Sequence, residues 1–336
     1  MLRIHLLAIL FLASMVLHAE DTDKPGASAE YKVIKKTVLG GDGSWDCLNV
    51  DSAERKLYIA RANRIMVVDL DADKLVTEWT GINGAHGVAL VPDLHRAYAT
   101  SGKDDSVRVF DLQTNKEVEK IATGKKPDLI IYDPHSKKVF AFNNGGTTTT
   151  VIDPATNKTV GEIELGGNPE FAVTDANGKI FVNIEDKSEI VAVDSDKLMV
   201  ANHWPLAPGT EPTGLSIDAA HHRLFSGCRG TNTLEVMDSE SGKILASLPI
   251  GKGQDGTAFD PETQNAFSSN GEGTLTIIHE DSPESFRVVQ TLATQAGART
   301  MTIDSKTHQA ILVSAEQNKE TRKVTPDTFV LIKAGK

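Results

Sequence analysis

Seven polar residues recur along the chain at a spacing of about 40 to 44 residues. Their side chains carry carboxyl, imidazole, guanidinium and hydroxyl groups, and the set is Asp46, His86, Asp128, Glu170, Thr213, Asp255 and Arg299. Carboxylates that crowd together repel one another, and their pKa values rise unless a cation compensates. Brought to one place, these groups could bind a small polar ligand or a cation, or could transfer protons.

A divalent cation is one candidate cofactor for such a set. Hard cations prefer carboxylate oxygens, whereas an imidazole beside carboxylates also suits zinc and other transition metals. The candidate metal ligands are His86, Asp128 and Glu170. The alternative interpretation is structural: the residues line a wet, polar channel end, where Arg299 forms an ion pair with a neighbouring Asp.

The elements that must position these residues are short β-strands in a repeat. Its clearest copy has strands at residues 96–100, 106–111 and 117–121, separated by the turn sequences G-K-D-D and Q-T-N-K. The apolar second strand of the repeat aligns seven times, at residues 57–59, 97–99, 139–141, 180–182, 224–226, 266–268 and 310–312. Four antiparallel strands in each such unit predict an all-β fold, a seven-bladed β-propeller of four-stranded blades.

The two ends of the chain predict how the ring closes. The last unit stops at Lys336 without a fourth strand, and residues 31–38 are a β-rich segment with no hairpin partner upstream. The N-terminal strand is therefore expected to complete the last blade, and a solenoid with a frayed end is the alternative. Because the first strand of each blade lines the channel, the seven recurring residues should ring one mouth. The loops between second and third strands should bring Arg61 and Arg229 to the same mouth.

The first 30 residues differ in composition from the repeats. Residues 1–19 contain one early basic residue, an apolar run and then an acidic segment, which predicts a secretory signal peptide cleaved near Ala19. Residues 20–30 predict a disordered leader, and residues 31–336 a single propeller domain. We expect a periplasmic or secreted protein with no membrane span in the mature chain.

Charge narrows the range of partners. The chain has 46 acidic and 35 basic residues, a formal net charge of −11, so binding to a nucleic-acid backbone is not expected. The two cysteines fall in units that should not touch, and we predict that Cys47 and Cys228 are buried free thiols. The adjacent His221 and His222 fall on the face opposite the mouth, where the pattern favours a solvated turn over a metal site. A monomer is expected.

The repeat resembles a known family. An aromatic or apolar strand is followed by V-x-V-I-D, T-N-K-V and G-x-x-P motifs, most clearly in residues 97–127 and 139–169. In this it is similar to the exported seven-bladed propellers of the YVTN-repeat type, close to the YncE-like proteins. The resemblance implies a fold and an exported compartment more than a reaction.

Three functions are open at this point. The leading hypothesis is a binding module for a small polar ligand or a protein partner, at a mouth ringed by His86, Glu170 and Arg299, because the sequence shows no G-x-S-x-G or H-E-x-x-H signature. The resemblance to propeller enzymes implies a lactonase-like hydrolase as one alternative. There His86 or a carboxylate would activate water, and Arg299 or a bound metal would stabilise the oxyanion. The other alternative is an accessory subunit of an exported redox enzyme.

Overall fold

Seven four-stranded antiparallel sheets make up the part of the chain that the structure, a computed structural model, describes. That part is residues 30–336 apart from Lys319 and Arg322. The predicted signal peptide at residues 1–19, and all but the last residue of the predicted leader at 20–30, lie outside it. Within the described residues, no helix combines the length and the apolar character needed to cross a membrane.

Each sheet is one blade, and the predicted seven-bladed β-propeller is confirmed. The first strand, β1 (Lys32–Val38), belongs to the last blade. Blades 1 to 6 then follow the chain, each from its innermost strand outwards. Blade 1 is β2 (Leu48–Asp51), β3 (Lys56–Arg61), β4 (Arg64–Asp69) and β5 (Lys74–Trp79). Blade 2 is β6 (Val88–Val91), β7 (Arg96–Ser101), β8 (Ser106–Asp111) and β9 (Glu117–Ala122). Blade 3 is β10 (Pro127–Asp133), β11 (Lys138–Asn143), β12 (Thr148–Asp153) and β13 (Lys158–Glu164).

The second half of the ring repeats this order. Blade 4 is β14 (Pro169–Thr174), β15 (Lys179–Ile184), β16 (Glu189–Asp194) and β17 (Met199–Pro205). Blade 5 is β18 (Pro212–Asp218), β19 (Arg223–Cys228), β20 (Thr233–Asp238) and β21 (Ile244–Pro249), and blade 6 is β22 (Gln254–Asp260), β23 (Asn265–Asn270), β24 (Thr274–Ser282) and β25 (Ser285–Ala293). Blade 7 has β26 (Met301–Asp304), β27 (Gln309–Ser314) and β28 (Val330–Gly335). Short 3-10 turns lie at Pro92–Leu94, Gly102–Asp104 and Glu185–Lys187.

The apolar core lies in the seams between blades. The two middle strands of a blade are buried on both faces, as the K-L-Y-I-A-R sequence of β3 shows, because a neighbouring blade covers each face. One core cluster joins Phe140 and Val151 of blade 3 to Val182 and Val191 of blade 4. The outer strand faces water, and in β13 the exposed positions hold four polar residues and Val160. This layering explains why the second strand gave the clearest repeat signal in the sequence.

The chain's first strand closes the ring, as predicted. β1 pairs with β28 in antiparallel register from Lys32 opposite Gly335 to Val38 opposite Val330. The ring of Tyr31 packs edge-on against Phe267, with centroids 5.4 Å apart. The innermost strands of neighbouring blades touch all round the ring, including β2 against β26. Seven strand starts therefore converge on one end of the channel.

An ion cluster ties the last blade to the first. The buried carboxylate of Asp73 lies 2.7 Å from Lys35 Nζ on β1 and 2.5 Å from Lys333 Nζ on β28. Burial alone would raise the pKa of Asp73, but the two lysines lower it on balance. The group thus contributes stability that is present above the unfolded pKa of about 3.9 and is lost as pH falls through the lowered folded pKa.

We expect Asp73→Asn to weaken this closure. The change leaves the mostly buried ammonium of Lys333 without its counter-charge, which should cost about 2 kcal/mol and lower the Tm by about 4 °C. Thermal unfolding at neutral pH measures the loss, and the difference between the two proteins should shrink in acid. Asp71→Asn is the matched control, since Asp71 is 67% exposed. Equal Tm values for the two variants would contradict a role of Asp73 in holding the last blade to the first.

Candidate functional site

The candidate site is a cavity of about 220 Å³ at the mouth where the innermost strands begin. Asp128, Glu170 and Asp255 lie at the second position of β10, β14 and β22, whereas Asp46 and Arg299 lie two residues before β2 and β26. Backbone contacts between adjacent blades fix these starts; for example, the amide of Cys47 donates to the carbonyl of His86 at 3.1 Å. The lining residues are Asp46, Cys47, Asp128, Leu129, Glu170, Phe171, Arg229, Asp255 and Arg299.

His86 lies between two of the carboxylates. Its Nδ1 is 2.7 Å from Asp46 Oδ2 and 2.9 Å from Asp128 Oδ1. Burial lowers the pKa of the imidazole, but the hydrogen bonds to Asp128 and Asp46 outweigh it and raise the pKa to about 10. At neutral pH His86 is therefore an imidazolium that neutralises part of the carboxylate charge.

Three residues at the mouth are close enough to bind one metal ion, but they are not the three that the sequence predicts. Asp46, His86 and Asp128 place ligand atoms within 4.8 Å of one another, so Asp46 takes the place that the sequence gave to Glu170. A metal ion there would have to displace the proton that the two carboxylates hold on His86. The trio is therefore better suited to balancing charge than to holding a metal at neutral pH.

Arg299 forms a second charge pair on the other side of the cavity. Its Nε donates to Asp255 Oδ2 at 2.6 Å, and its terminal nitrogen donates to the carbonyl of Trp45 at 3.1 Å. Burial raises the pKa of Asp255 to about 6 even though Arg299 acts in the opposite direction. The predicted pairing of Arg299 with a neighbouring Asp is thus present, and it leaves Asp255 ionised at neutral pH.

Glu170 is the carboxyl group in the cavity whose charge is least compensated. Its Oε1 accepts a hydrogen bond from Asn144 Nδ2 at 3.0 Å. Arg229, the other cation in the lining, forms its ion pairs with Glu185 and Glu211. Burial, followed by the charges of nearby carboxylates, raises the pKa of Glu170 to about 8. Glu170 therefore carries a proton at neutral pH and ionises when a positive group approaches.

Three of the predicted site residues are absent from the cavity lining. His86 contacts the lining residues Asp46 and Asp128, whereas Thr213 and Arg61 lie away from the cavity. Thr213 occupies the expected position, but its side chain is short and fully buried, and its hydroxyl is satisfied by Gln254 at 2.5 Å. Arg61 is the last residue of β3, and its buried guanidinium stacks on Phe329 and donates to the carbonyls of Asp42, Gly43 and Ser44. Successive residues of a strand point to opposite faces, so the rim position is the one after Arg61. The predicted placement of the two side chains at the mouth is therefore corrected: Thr213 is buried and too short, and Arg61 points to the other face.

Two polar residues of the site were missed in the sequence, Asn144 and Glu185. Like the predicted Arg229, each follows the last residue of the second strand of a blade, so a repeat alignment of that position would have found them. Cys47 lines the cavity beside Asp46 and is a free thiol, as is the buried Cys228. Burial raises the pKa of Cys47 well above its usual range, and the surrounding carboxylates raise it further. Cys47 is therefore a neutral thiol and a poor nucleophile.

Comparison with known proteins supports the fold. No protein-family model and no curated protein matches the sequence. Among solved structures, the chain is similar to one titled Kuenenia stuttgartiensis hydrazine synthase, with a TM-score of 0.68 and 16% sequence identity. The similarity covers 87% of this chain and 96% of that one. At this identity the likeness shows the fold alone, and it agrees with the seven-bladed β-propeller that the sheets form.

Proposed function

We propose that the protein is an exported propeller that binds a small polar ligand with a positively charged or hydrogen-bond-donating group at the channel mouth. The observation that carries this proposal is Glu170, a half-buried carboxyl that has no ion-pair partner among the described residues and whose pKa is raised to about 8 by burial and by neighbouring carboxylates. A cationic ligand would supply the missing counter-charge. The cavity volume of about 220 Å³ fits a molecule below drug size.

The remaining lining suits the same class of ligand. Asp46 and Asp128 share His86, and Asp255 is paired with Arg299, so these carboxylates are held in place and can still accept further hydrogen bonds. Leu129 and Phe171 add an apolar surface. An ammonium or a polyhydroxylated compound would meet several acceptors at once. A protein partner that inserts a Lys or Arg side chain would use the same chemistry.

The proposal predicts a specific pH dependence. A cationic ligand binds the ionised form of Glu170, so below its pKa the carboxyl must first lose a proton. Affinity should rise by up to about tenfold per pH unit toward pH 8 and then level off. Glu170→Gln should bind weakly, and its affinity should be independent of pH in this range. Calorimetric titration at several pH values measures both effects.

Thermal-shift screening of small amines and polyols against the mature chain supplies the probe for that titration. Glu162→Gln, on the exposed outer strand of the preceding blade, is the matched control and should bind like the parent. A ligand that binds Glu170→Gln as tightly as the parent, with the same pH profile, would reject the proposed site. The failure of every amine and polyol to raise the Tm would reject the ligand class.

A lactonase-like hydrolase is the second candidate, and the same residue favours it. A carboxyl with a pKa of about 8 lies close to the range in which general acids and bases work at neutral pH. Arg299 would have to leave Asp255 to stabilise an oxyanion. Turnover of acyl or sugar lactones that disappears in Glu170→Gln would favour the hydrolase over simple binding.

The family and the compartment are proposals as well. The YVTN-type repeat motifs and the apolar segment at residues 1–19 support an exported member of that family. The accessory-subunit hypothesis is compatible with the likeness to a chain titled hydrazine synthase, but this likeness extends to the fold alone. Co-purification of a coloured redox protein with the tagged chain would be the observation in its favour.

A further inference from the structure

Three seams on the face opposite the mouth follow a common rule. In each, the Asp that ends an innermost strand is contacted by a hydrogen-bonding side chain from the next blade. Thr174 donates to Asp133 at 2.7 Å, and Arg55 donates to Asp304 at 2.8 Å. His308 lies 3.0 Å from Asp260 in the same way. At these seams, a donor from the next blade balances the buried carboxylate. For Asp133 and Asp304 the pKa is lowered on balance, although burial opposes the change.

The seam between blades 5 and 6 breaks this rule. Asp218 ends β18, and the side chain that β24 of the next blade brings toward it is another carboxylate, Glu280. His221 lies between them, with its Nδ1 2.6 Å from Asp218 Oδ2 and 3.6 Å from Glu280 Oε1. His221 lies in the predicted turn and its side chain is 38% exposed, but the ring faces two buried carboxylates. The ligand atoms of the three residues lie within 4.8 Å of one another.

Glu280 is the residue that this arrangement leaves unsatisfied. Its side chain is 1% exposed, and neither of its carboxylate oxygens has a hydrogen-bond partner among the described residues. Arg223, the nearby cation, instead donates to the carbonyl of Pro283 at 2.6 Å and to Asp238 at 2.7 Å. Burial raises the pKa of Glu280 to about 7, and the charge of Asp218 contributes to the rise. A buried carboxylate without a donor is costly, which indicates that a further positive group belongs here.

We propose that Asp218, His221 and Glu280 bind a divalent transition-metal ion, with Zn²⁺ as the best-matched probe, across the seam between blades 5 and 6. Imidazole nitrogens and carboxylate oxygens both bind zinc, and three protein ligands leave a position for water. Asp218 is oriented for this role, because its Oδ1 accepts from the backbone amides of Ala220 and His221 at 3.0 and 3.3 Å while Oδ2 faces the cluster. The ion would link the two blades as Arg55 and Asp304 link blades 7 and 1.

The test is a zinc titration of the mature chain after chelator treatment, followed by calorimetry and by thermal unfolding. The parent should bind one Zn²⁺ per chain at this site and gain in Tm. Glu280→Gln, which keeps the side-chain shape, should weaken binding by at least about tenfold and abolish the Tm gain. His308→Ala is the matched control, because it removes the similar pair at the next seam and should leave zinc affinity unchanged.

Two outcomes would overturn the proposal. One is zinc binding that is as tight in Glu280→Gln as in the parent, which would place the ion elsewhere, for example at Asp46, His86 and Asp128. The other is no binding by the parent at millimolar zinc. A higher Tm for Glu280→Gln would then mean that Asp218 and Glu280 share a proton instead. If Glu280→Gln does not fold, Asp218→Asn serves for the same comparison, with the same expected loss.

Discussion

His86→Ala should destabilise the protein by about 2 to 3 kcal/mol at pH 6, because it removes the cation that lies between two carboxylates at the mouth. Breaking a fully buried pair costs about 3 to 5 kcal/mol, and the expected value is smaller because the imidazole is 28% exposed. Asp46 and Asp128 would then face each other without compensation. Unfolding in denaturant, followed by circular dichroism, measures the loss.

The same residue gives the stability of the protein a predictable pH dependence. The folded pKa of His86 is raised to about 10, above its unfolded value of about 6.5. The contribution is therefore fully present below about pH 6.5 and is lost as pH rises through about 10. The difference in stability between the parent and His86→Ala should shrink over this window, whereas a difference that does not change with pH would contradict the charge assignment.

His135→Ala is the matched control for both measurements. His135 also lies 3.0 Å from an Asp, but its side chain and that of Asp196 are 36% and 65% exposed. An exposed pair of this kind contributes little to stability because solvent screens it. If His86→Ala and His135→Ala lowered the stability equally, the trio at the mouth would have no special role in balancing charge.

The repeat made the architecture readable from the sequence. Each blade repeats the same order of strands and turns, so seven weak strand signals reinforce one another. The ring closure follows from a missing strand at the C-terminal end and a spare strand at the N-terminal end. The convergence of His86, Asp46 and Asp128 follows from the same register. The repeat register predicts where the backbone of each residue lies. That was enough to predict a site residue wherever its side chain is long enough to reach the channel axis.

The errors arise where side-chain geometry decides. Arg61 and Arg229 look equivalent in the sequence, but Arg61 ends its strand and Arg229 follows its strand, so their side chains point in different directions. Thr213 has the right position and too short a side chain. Glu280 could not be found by repeat alignment because β24 is 9 residues long, whereas β20 in the preceding blade has 6. Its partner Asp218 comes from another blade, and only the packing of the blades brings the two together.

A chain that begins at residue 39 should lose at least about 4 kcal/mol of stability relative to one that begins at residue 31. The deletion removes the buried ring of Tyr31 and the outer strand of blade 7. Truncating a buried aromatic side chain to Ala costs about 3 to 5 kcal/mol by itself. Gln290 would also lose its two hydrogen bonds to the backbone of Tyr31, at 2.9 and 2.7 Å. Denaturant unfolding of the two proteins measures the difference.

The deletion also exposes the edge of β28, which presents unpaired amides and carbonyls beside the apolar Leu331 and Ile332. We therefore expect the shortened chain to aggregate, and a synthetic peptide of residues 31–38 to restore both its solubility and part of its stability by pairing with that edge. A peptide of the same composition in scrambled order controls for nonspecific binding, because it cannot place Tyr31 against Phe267. If the shortened chain unfolds at the same denaturant concentration as the longer one, the propeller closes without its first strand. The convergence of the mouth residues would then need another explanation.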